Sequence, residues 1–184
     1  MSLEIYIGPM YAGKTTKLMN LYEQSTNSIV IDYILEEEKE DNVIISNISN
    51  HDTKIIQNCY KTKTLQTLYN EKKYHTKSYY NRFMLANTIF INECQFFPDL
   101  KQFVLNAQFS GKHIKLFGLD GDFKQDIFGQ TFELIPYCNY IEKITGKCNN
   151  CDNKSIISHR ITKKQDIYVP DSNEYIPLCL SCYK

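Results

Sequence analysis

The chain has 184 residues, 21 basic and 21 acidic side chains, 42% hydrophobic residues and no tryptophan. That size carries one hydrophobic core with at most a small appended module, and a net charge of zero excludes an overall basic field for holding nucleic acid. No apolar run nears the roughly 20 residues of a membrane span, and the N-terminus lacks the basic region and long apolar stretch of a secretion signal, so a soluble, cytoplasmic protein is expected.

Residues 3–7 are apolar and β-branched and read as a strand, while residues 17–23 place Leu18, Met19, Leu21 and Tyr22 at helical spacing. Between them runs Gly8-Pro9-Met10-Tyr11-Ala12-Gly13-Lys14-Thr15, a full match to G-x-x-x-x-G-K-[ST]. Such a loop curls backbone N–H groups around a β-phosphate at a helix N-terminus. Lys14 then reaches the β- and γ-phosphates, and the Thr15 hydroxyl is a magnesium ligand candidate.

Residues 29–35 read as a second strand, and the polar stretch 36–53 is too long for a simple connection and is expected to be mobile or hairpin-like. Segments 64–69 and 78–86 are modest helix candidates, and 88–91 is a short buried strand. Residues 98–109 place Leu100, Phe103, Val104 and Ala107 on one helical face, and 114–118 is another buried strand. Strands alternating with helices predict an α/β fold, a P-loop NTPase-like, mostly parallel sheet flanked by helices over residues 1–145.

A phosphate-transfer site of this type needs an acidic group from a second strand. The strand 88–91 ends in Asn92-Glu93, followed by Cys94-Gln95-Phe96-Phe97. An amide oxygen at Asn92 accepts a hydrogen bond from metal-bound water but brings no charge. Glu93 brings one, suited to accepting a proton from an attacking hydroxyl.

Seven cysteines with no secretion signal predict a reducing compartment. Four form two knuckles, Cys148-Asn149-Asn150-Cys151 and Cys179-Leu180-Ser181-Cys182, which together offer four thiolates to one tetrahedral zinc. A redox Cys-x-x-Cys is the alternative. The 27 intervening residues exceed a simple ribbon, so an excursion with strands at 155–161 and 166–169 should leave and return, within a zinc-binding module spanning 146–184. Cys59, Cys94 and Cys138 read as small apolar fillers.

In this order, the phosphate loop, Glu93-x-Gln95-Phe96-Phe97, Leu119-Asp120-Gly121-x-Phe123, Phe128-Gly129 and the two cysteine knuckles resemble the zinc-containing (type II) thymidine kinases of cells and large DNA viruses. The resemblance spans about residues 3–183. It implies ATP held by residues 8–15 with Asn92 and Gln95, magnesium at Thr15 and Asn92, and Glu93 as base for the thymidine 5′-hydroxyl. Met10, Phe96, Leu119, Phe123 and Phe128 match residues around the thymine ring, and Tyr175 matches a tyrosine that contacts the nucleoside. Ser158 and Arg160 fall in an element resembling the family's Thr-x-Arg, and Asp166, Ile167, Tyr168, Val169 and Pro170 match its substrate-covering loop, or lasso. The resemblance further implies a homotetramer inhibited by dTTP, with no nucleic-acid or membrane partner.

The sequence departs from the family pattern in four places: Asn92 stands where it has Asp, Val43 occupies the Arg position of an Asp-x-Arg element beginning at Asp41, Pro170-Asp171 replaces a Gly pair in the lasso, and Asp122 replaces a small polar residue. The expected reaction is transfer of the ATP γ-phosphate to thymidine. The alternatives are a P-loop ATPase whose zinc ribbon binds a partner, and a nucleotide binder without catalysis.

Overall fold

A single sheet organises the chain because its central strands are rich in apolar residues and can be buried on both faces. The computed structural model describes residues 1–34, 42–50, 54–164, 166 and 172–184. Strand β1 (Ser2–Ile7) leads into helix α1 (Lys14–Glu23), then β2 (Ser28–Tyr33), β3 (Ile44–Ser49), β4 (Ile55–Thr62), α2 (Lys77–Leu85), β5 (Thr88–Ile91), α3 (Leu100–Phe109), β6 (His113–Gly118) and β7 (Tyr140–Lys143). These seven strands form one sheet in the order β3-β4-β2-β5-β6-β1-β7, parallel throughout except for the β3–β4 pair. The expected mostly parallel α/β sheet is therefore present.

Alternate residues of each strand face opposite ways, and the core divides accordingly. Leu3, Ile5, Ile29, Ile31, Ile89, Ile91, Ile114 and Leu116 face Phe83 of α2 and Leu100, Phe103, Val104 and Ala107 of α3. Tyr6, Val30, Phe90 and Phe117 face Leu18 and Met19 of α1. The Tyr6 and Phe117 rings stack at 4.7 Å between centroids, on neighbouring strands. Cys59 and Cys94 are fully buried and Cys138 packs against the larger cluster, as apolar fillers do.

The polar stretch after β2 contributes β3, which pairs antiparallel with β4, in keeping with the hairpin-like expectation; residues 35–41, including Leu35 and Asp41, lie outside the described residues. Val43 is fully buried in the core, with its N–H bonded to the Lys73 carbonyl at 3.0 Å. Residues 65–69 form a 3-10 helix rather than an α-helix.

Beyond β7, short strands β8 (Gly146–Lys147) and β9 (Lys154–Ser155) pair antiparallel around the first cysteine knuckle. Strand β10 (Ile157–Arg160) then pairs antiparallel with β11 (Tyr175–Leu178), before the final helix α4 (Leu180–Tyr183). Of the strand expected at 166–169, Asp166 lies outside any strand and residues 167–169 are outside the described residues. Among the described residues, no helix is long and apolar enough to cross a membrane.

Candidate active site

The phosphate loop leaves β1 at the C-terminal edge of the sheet, the edge where open parallel sheets place their ligands. Gly8 donates its N–H to the Gly118 carbonyl at the end of β6 (3.3 Å), so the loop starts anchored to its neighbour strand. Gly13, at φ 84°, turns the backbone in the left-handed region directly before α1. Lys14 folds back over the loop, donating to the carbonyls of Gly8 (3.1 Å) and Pro9 (2.7 Å), and is 8% exposed. Burial pushes its ammonium below the usual lysine range, while the carboxylates of Glu93 and Asp120 oppose that shift. A buried cation with loop carbonyls as its direct partners is suited to meeting phosphate oxygens. Tyr11 stands 42% exposed at the loop's tip, Ala12 is buried, and Thr15 lies in the first turn of α1.

Glu93 follows β5 in the left-handed region at φ 49°, an uncommon conformation for a residue with a side chain. Gln95 holds its carboxylate, donating from Nε2 to Oε2 at 2.7 Å, and accepts the N–H of Leu119 on its own Oε1 at 3.0 Å. One buried amide therefore ties the end of β5 to the residue just past β6. Gly129, at φ 70°, packs so tightly on this turn that a Cβ there would lie 2.2 Å from the Gln95 carbonyl oxygen. That contact gives Phe128-Gly129 a structural reason: the Phe128 ring meets Phe96 edge-on at 5.3 Å, and Phe96 also contacts Tyr33.

The C-terminal module reaches the same place. Ser158 accepts the Met10 N–H on its Oγ at 2.9 Å, joining β10 to the phosphate loop. The Arg160 guanidinium lies 3.7 Å over the Phe123 ring and 4.9 Å from the Tyr175 ring, donates to the Tyr175 hydroxyl, and donates to the carbonyls of Lys164 and Asp166. A lysine could supply neither the flat stack nor the several directed donors. Met10, Phe96, Leu119, Phe123, Phe128, Ser158, Arg160, Asp166 and Tyr175 are all described; the contacts bring Arg160 together with Phe123, Tyr175 and Asp166, Met10 with Ser158, and Phe96 with Phe128. Ile167, Tyr168, Val169 and Pro170 lie outside the described residues.

Two ion pairs lie at this end of the sheet, and of their four residues only Asp120 falls within a sequence motif. Asp120 pairs with Lys143 of β7 at 2.7 Å. Asp32, near the end of β2, accepts the Asn92 Nδ2–H on Oδ1 at 3.0 Å and lies 3.8 Å from Lys61 of β4. Burial and the nearby Glu93 raise the Asp32 carboxyl above its usual range, against the opposing effects of Asn92 and Lys61. The only trace in the sequence is an acid inside the apolar run Ser28-Ile29-Val30-Ile31-Asp32-Tyr33.

The four knuckle cysteines converge. Their sulfurs all lie within 4.8 Å of one another, with Cys151–Cys179 at 3.7 Å and Cys151–Cys182 at 3.6 Å. Zn–S bonds of about 2.3 Å in a tetrahedron require sulfurs roughly 3.8 Å apart, so the donor set fits zinc. Burial disfavours the Cys148 thiolate, but backbone N–H donors from Cys179 and Asn150 outweigh it and lower the thiol to about 6.

A mostly parallel α/β sheet with a phosphate loop after β1 and an acidic turn after β5 defines a P-loop nucleotide-binding protein, and its C-terminal module carries a four-cysteine cluster that could hold a metal. The family described as "Thymidine kinase" matches residues 1–183, and the chain belongs to it. It is 34% identical over 189 residues to the thymidine kinase of Amsacta moorei entomopoxvirus, covering 100% of this chain and 98% of that one. Similarity extends to thymidine kinase 1 of Dictyostelium discoideum (29% identical; 98% of this chain, 77% of that one) and to cytosolic thymidine kinase of Gallus gallus (24%; 98% and 76%).

Proposed function

We propose that this protein transfers the γ-phosphate of ATP to the 5′-hydroxyl of thymidine, giving dTMP and ADP. The observation that carries the reading is the Glu93 carboxylate, held by Gln95 and within electrostatic reach of the buried Lys14. Phosphoryl transfer to a hydroxyl needs this pair of groups in one place: a cation for the transferred charge and a carboxylate for the departing proton. An ATPase has no need of rings to hold a flat base, whereas Phe96 against Phe128 and Phe123 under Arg160 offer aromatic side chains suited to one.

In this reading Gly8, Pro9, Met10, Tyr11, Ala12, Gly13, Lys14 and Thr15 hold the ATP phosphates, with Asn92 and Gln95 beside them. Lys14 offsets charge on the transferred group, and Glu93 takes the proton of the attacking hydroxyl. The magnesium ion that accompanies ATP would be held by the Thr15 hydroxyl and, through water, by the Asn92 amide oxygen, adding charge neutralisation at the phosphates. Met10, Phe96, Leu119, Phe123, Phe128 and Tyr175 enclose thymidine, and Ser158 and Arg160 fix the strand on which Asp166–Pro170 would cover it. Such a cover keeps water from competing with the hydroxyl. Zinc at Cys148, Cys151, Cys179 and Cys182 would be structural, since four sulfur ligands leave no open position. The division at residues 145/146 then separates nucleotide-binding and lid-bearing parts. The family resemblance extends the reading to a cytoplasmic homotetramer inhibited by dTTP.

The test is dTMP formation from ATP, magnesium and thymidine, run with deoxycytidine, deoxyguanosine and no-nucleoside controls. Glu93→Gln should lower kcat about 10²- to 10⁴-fold, the range for a lost general base, with little change in ATP affinity. ADP release independent of nucleoside, undiminished in Glu93→Gln, would instead establish an ATPase.

A further inference from the structure

Asp32 sits near the C-terminal end of β2, 9% exposed, in a run that is otherwise apolar on both sides of the sheet. A carboxylate in such a place costs solvation unless specific partners replace the water. Two partners are present. The β2–β4 register sets Asp32 opposite Lys61, whose Nζ lies 3.8 Å from Oδ2. The β2–β5 register pairs Ile31 with Ile91, and one step further Asn92 donates its Nδ2–H to Oδ1 at 3.0 Å.

The second contact fixes more than position. A primary amide has a donor end and an acceptor end, and a carboxylate accepts from the NH₂ end alone. The bond to Asp32 therefore orients Asn92 with its Oδ1 turned away from Asp32. Asn92 is itself 7% exposed, with its backbone N–H bonded to the Ile31 carbonyl at 2.8 Å, so the amide has little freedom to turn over. It immediately precedes Glu93, the residue whose charge reaches Lys14 in the phosphate loop. An amide oxygen so held accepts well from metal-bound water, yet adds no negative charge beside the phosphates. The missing charge lies one hydrogen bond behind it.

We propose that Asp32 is the carboxylate of the magnesium site, acting through Asn92: it holds the amide oxygen toward the metal's water shell and supplies the negative charge that position 92 lacks. Asp32 is thus a positioning residue for the metal. This rests on the reading of Thr15 and Asn92 as the magnesium-side residues. A purely structural role, as the buried ion-pair partner of Lys61, makes a different demand, because that partner must stay on β2. A carboxylate serving the metal can be moved to position 92.

The experiment measures Mn²⁺ binding to the protein–ADP complex, from the electron paramagnetic resonance signal of free Mn²⁺, beside metal-free ADP affinity and the magnesium dependence of dTMP formation. The natural chain is compared with Asp32→Asn and with the exchange that combines Asp32→Asn and Asn92→Asp. Partners behind a metal ligand are typically worth about 10- to 100-fold in metal affinity. Asp32→Asn should weaken Mn²⁺ binding by at least about tenfold and raise the magnesium concentration for half-maximal rate by a similar factor, leaving metal-free ADP affinity within about twofold. The exchange should recover most of that loss. Unchanged Mn²⁺ binding in Asp32→Asn, or an exchange variant no better than the single one, overturns the inference alone. A natural chain that binds no Mn²⁺ in its ADP complex overturns the magnesium reading together with it. Should Asp32→Asn fail to fold, the exchange variant decides, since it retains one carboxylate and one amide at the same junction.

Discussion

At the scale of single residues, Gln95 is the hinge between two strand ends. Its amide spends both ends inside the protein, one on the Glu93 carboxylate and one on the Leu119 N–H. Glu93 needs such a restraint because it sits in a backbone conformation that side chains rarely choose. Gln95→Met keeps the length of the side chain and removes both bonds. The Leu119 N–H is then left without its partner, which costs about 1–3 kcal/mol of stability. A free Glu93 carboxylate samples orientations that miss the hydroxyl, so kcat should fall about 10- to 100-fold with a smaller change in KM for ATP. Thermal melts and steady-state kinetics measure the two effects separately. Unchanged kcat would show that the turn after β5 holds Glu93 without help from Gln95.

At the scale of elements, strand β10 carries the influence of the cysteine cluster to the cleft. Its Ser158 accepts from the phosphate loop at Met10, its Arg160 stacks on Phe123, and its partner β11 ends beside Cys179. Cys151→Ser removes one of four converging sulfurs and should lower kcat/KM for thymidine roughly 10- to 100-fold by loosening that strand. KM for ATP should rise less, because β1 and α1 frame the phosphate loop from within the main sheet. Metal analysis, melting and the two KM values check this; equal losses for both substrates would place the effect on the whole fold. Strands β1, β5 and β6 were readable from sequence because each is short and rich in β-branched and other apolar residues. The hairpin-like character of the stretch after β2 was readable but its strand bounds and register were not, because Ile44-Ile45-Ser46-Asn47-Ile48-Ser49 mixes periods and its register shifts between Ser46 and Ile48. Strand β11 carries Pro177 in four residues, which a pattern reading discounts as a strand. The loop, Glu93 and the cysteines carry their chemistry in local motifs, so they were readable too. Asp32 was not: its meaning depends on Asn92, 60 residues away, across a parallel pair.

At the scale of the whole molecule, the phosphate site sets stability against function. Lys14 is held among loop carbonyls with its ammonium depressed by burial below the usual value of 10.5. Its folded-state pKa lies below the unfolded one, so the penalty is present in full wherever both states are protonated. It is relieved as pH rises from the folded pKa through 10.5. Replacing the lysine removes that penalty and also removes two hydrogen bonds to Gly8 and Pro9, effects of opposite sign. Lys14→Met without nucleotide should therefore melt within about 1 kcal/mol of the natural chain near pH 7. With nucleotide the two should part. A ligand at 100 times its dissociation constant stabilises the folded state by about 2.7 kcal/mol, and the natural chain should show this shift with ATP. Lys14→Met should lose most of it, because the phosphates then face loop N–H groups without the cation beneath them. Melting curves over an ATP titration measure this directly. A full ATP shift in Lys14→Met would mean that the buried ammonium serves the loop's own carbonyls and not the phosphates.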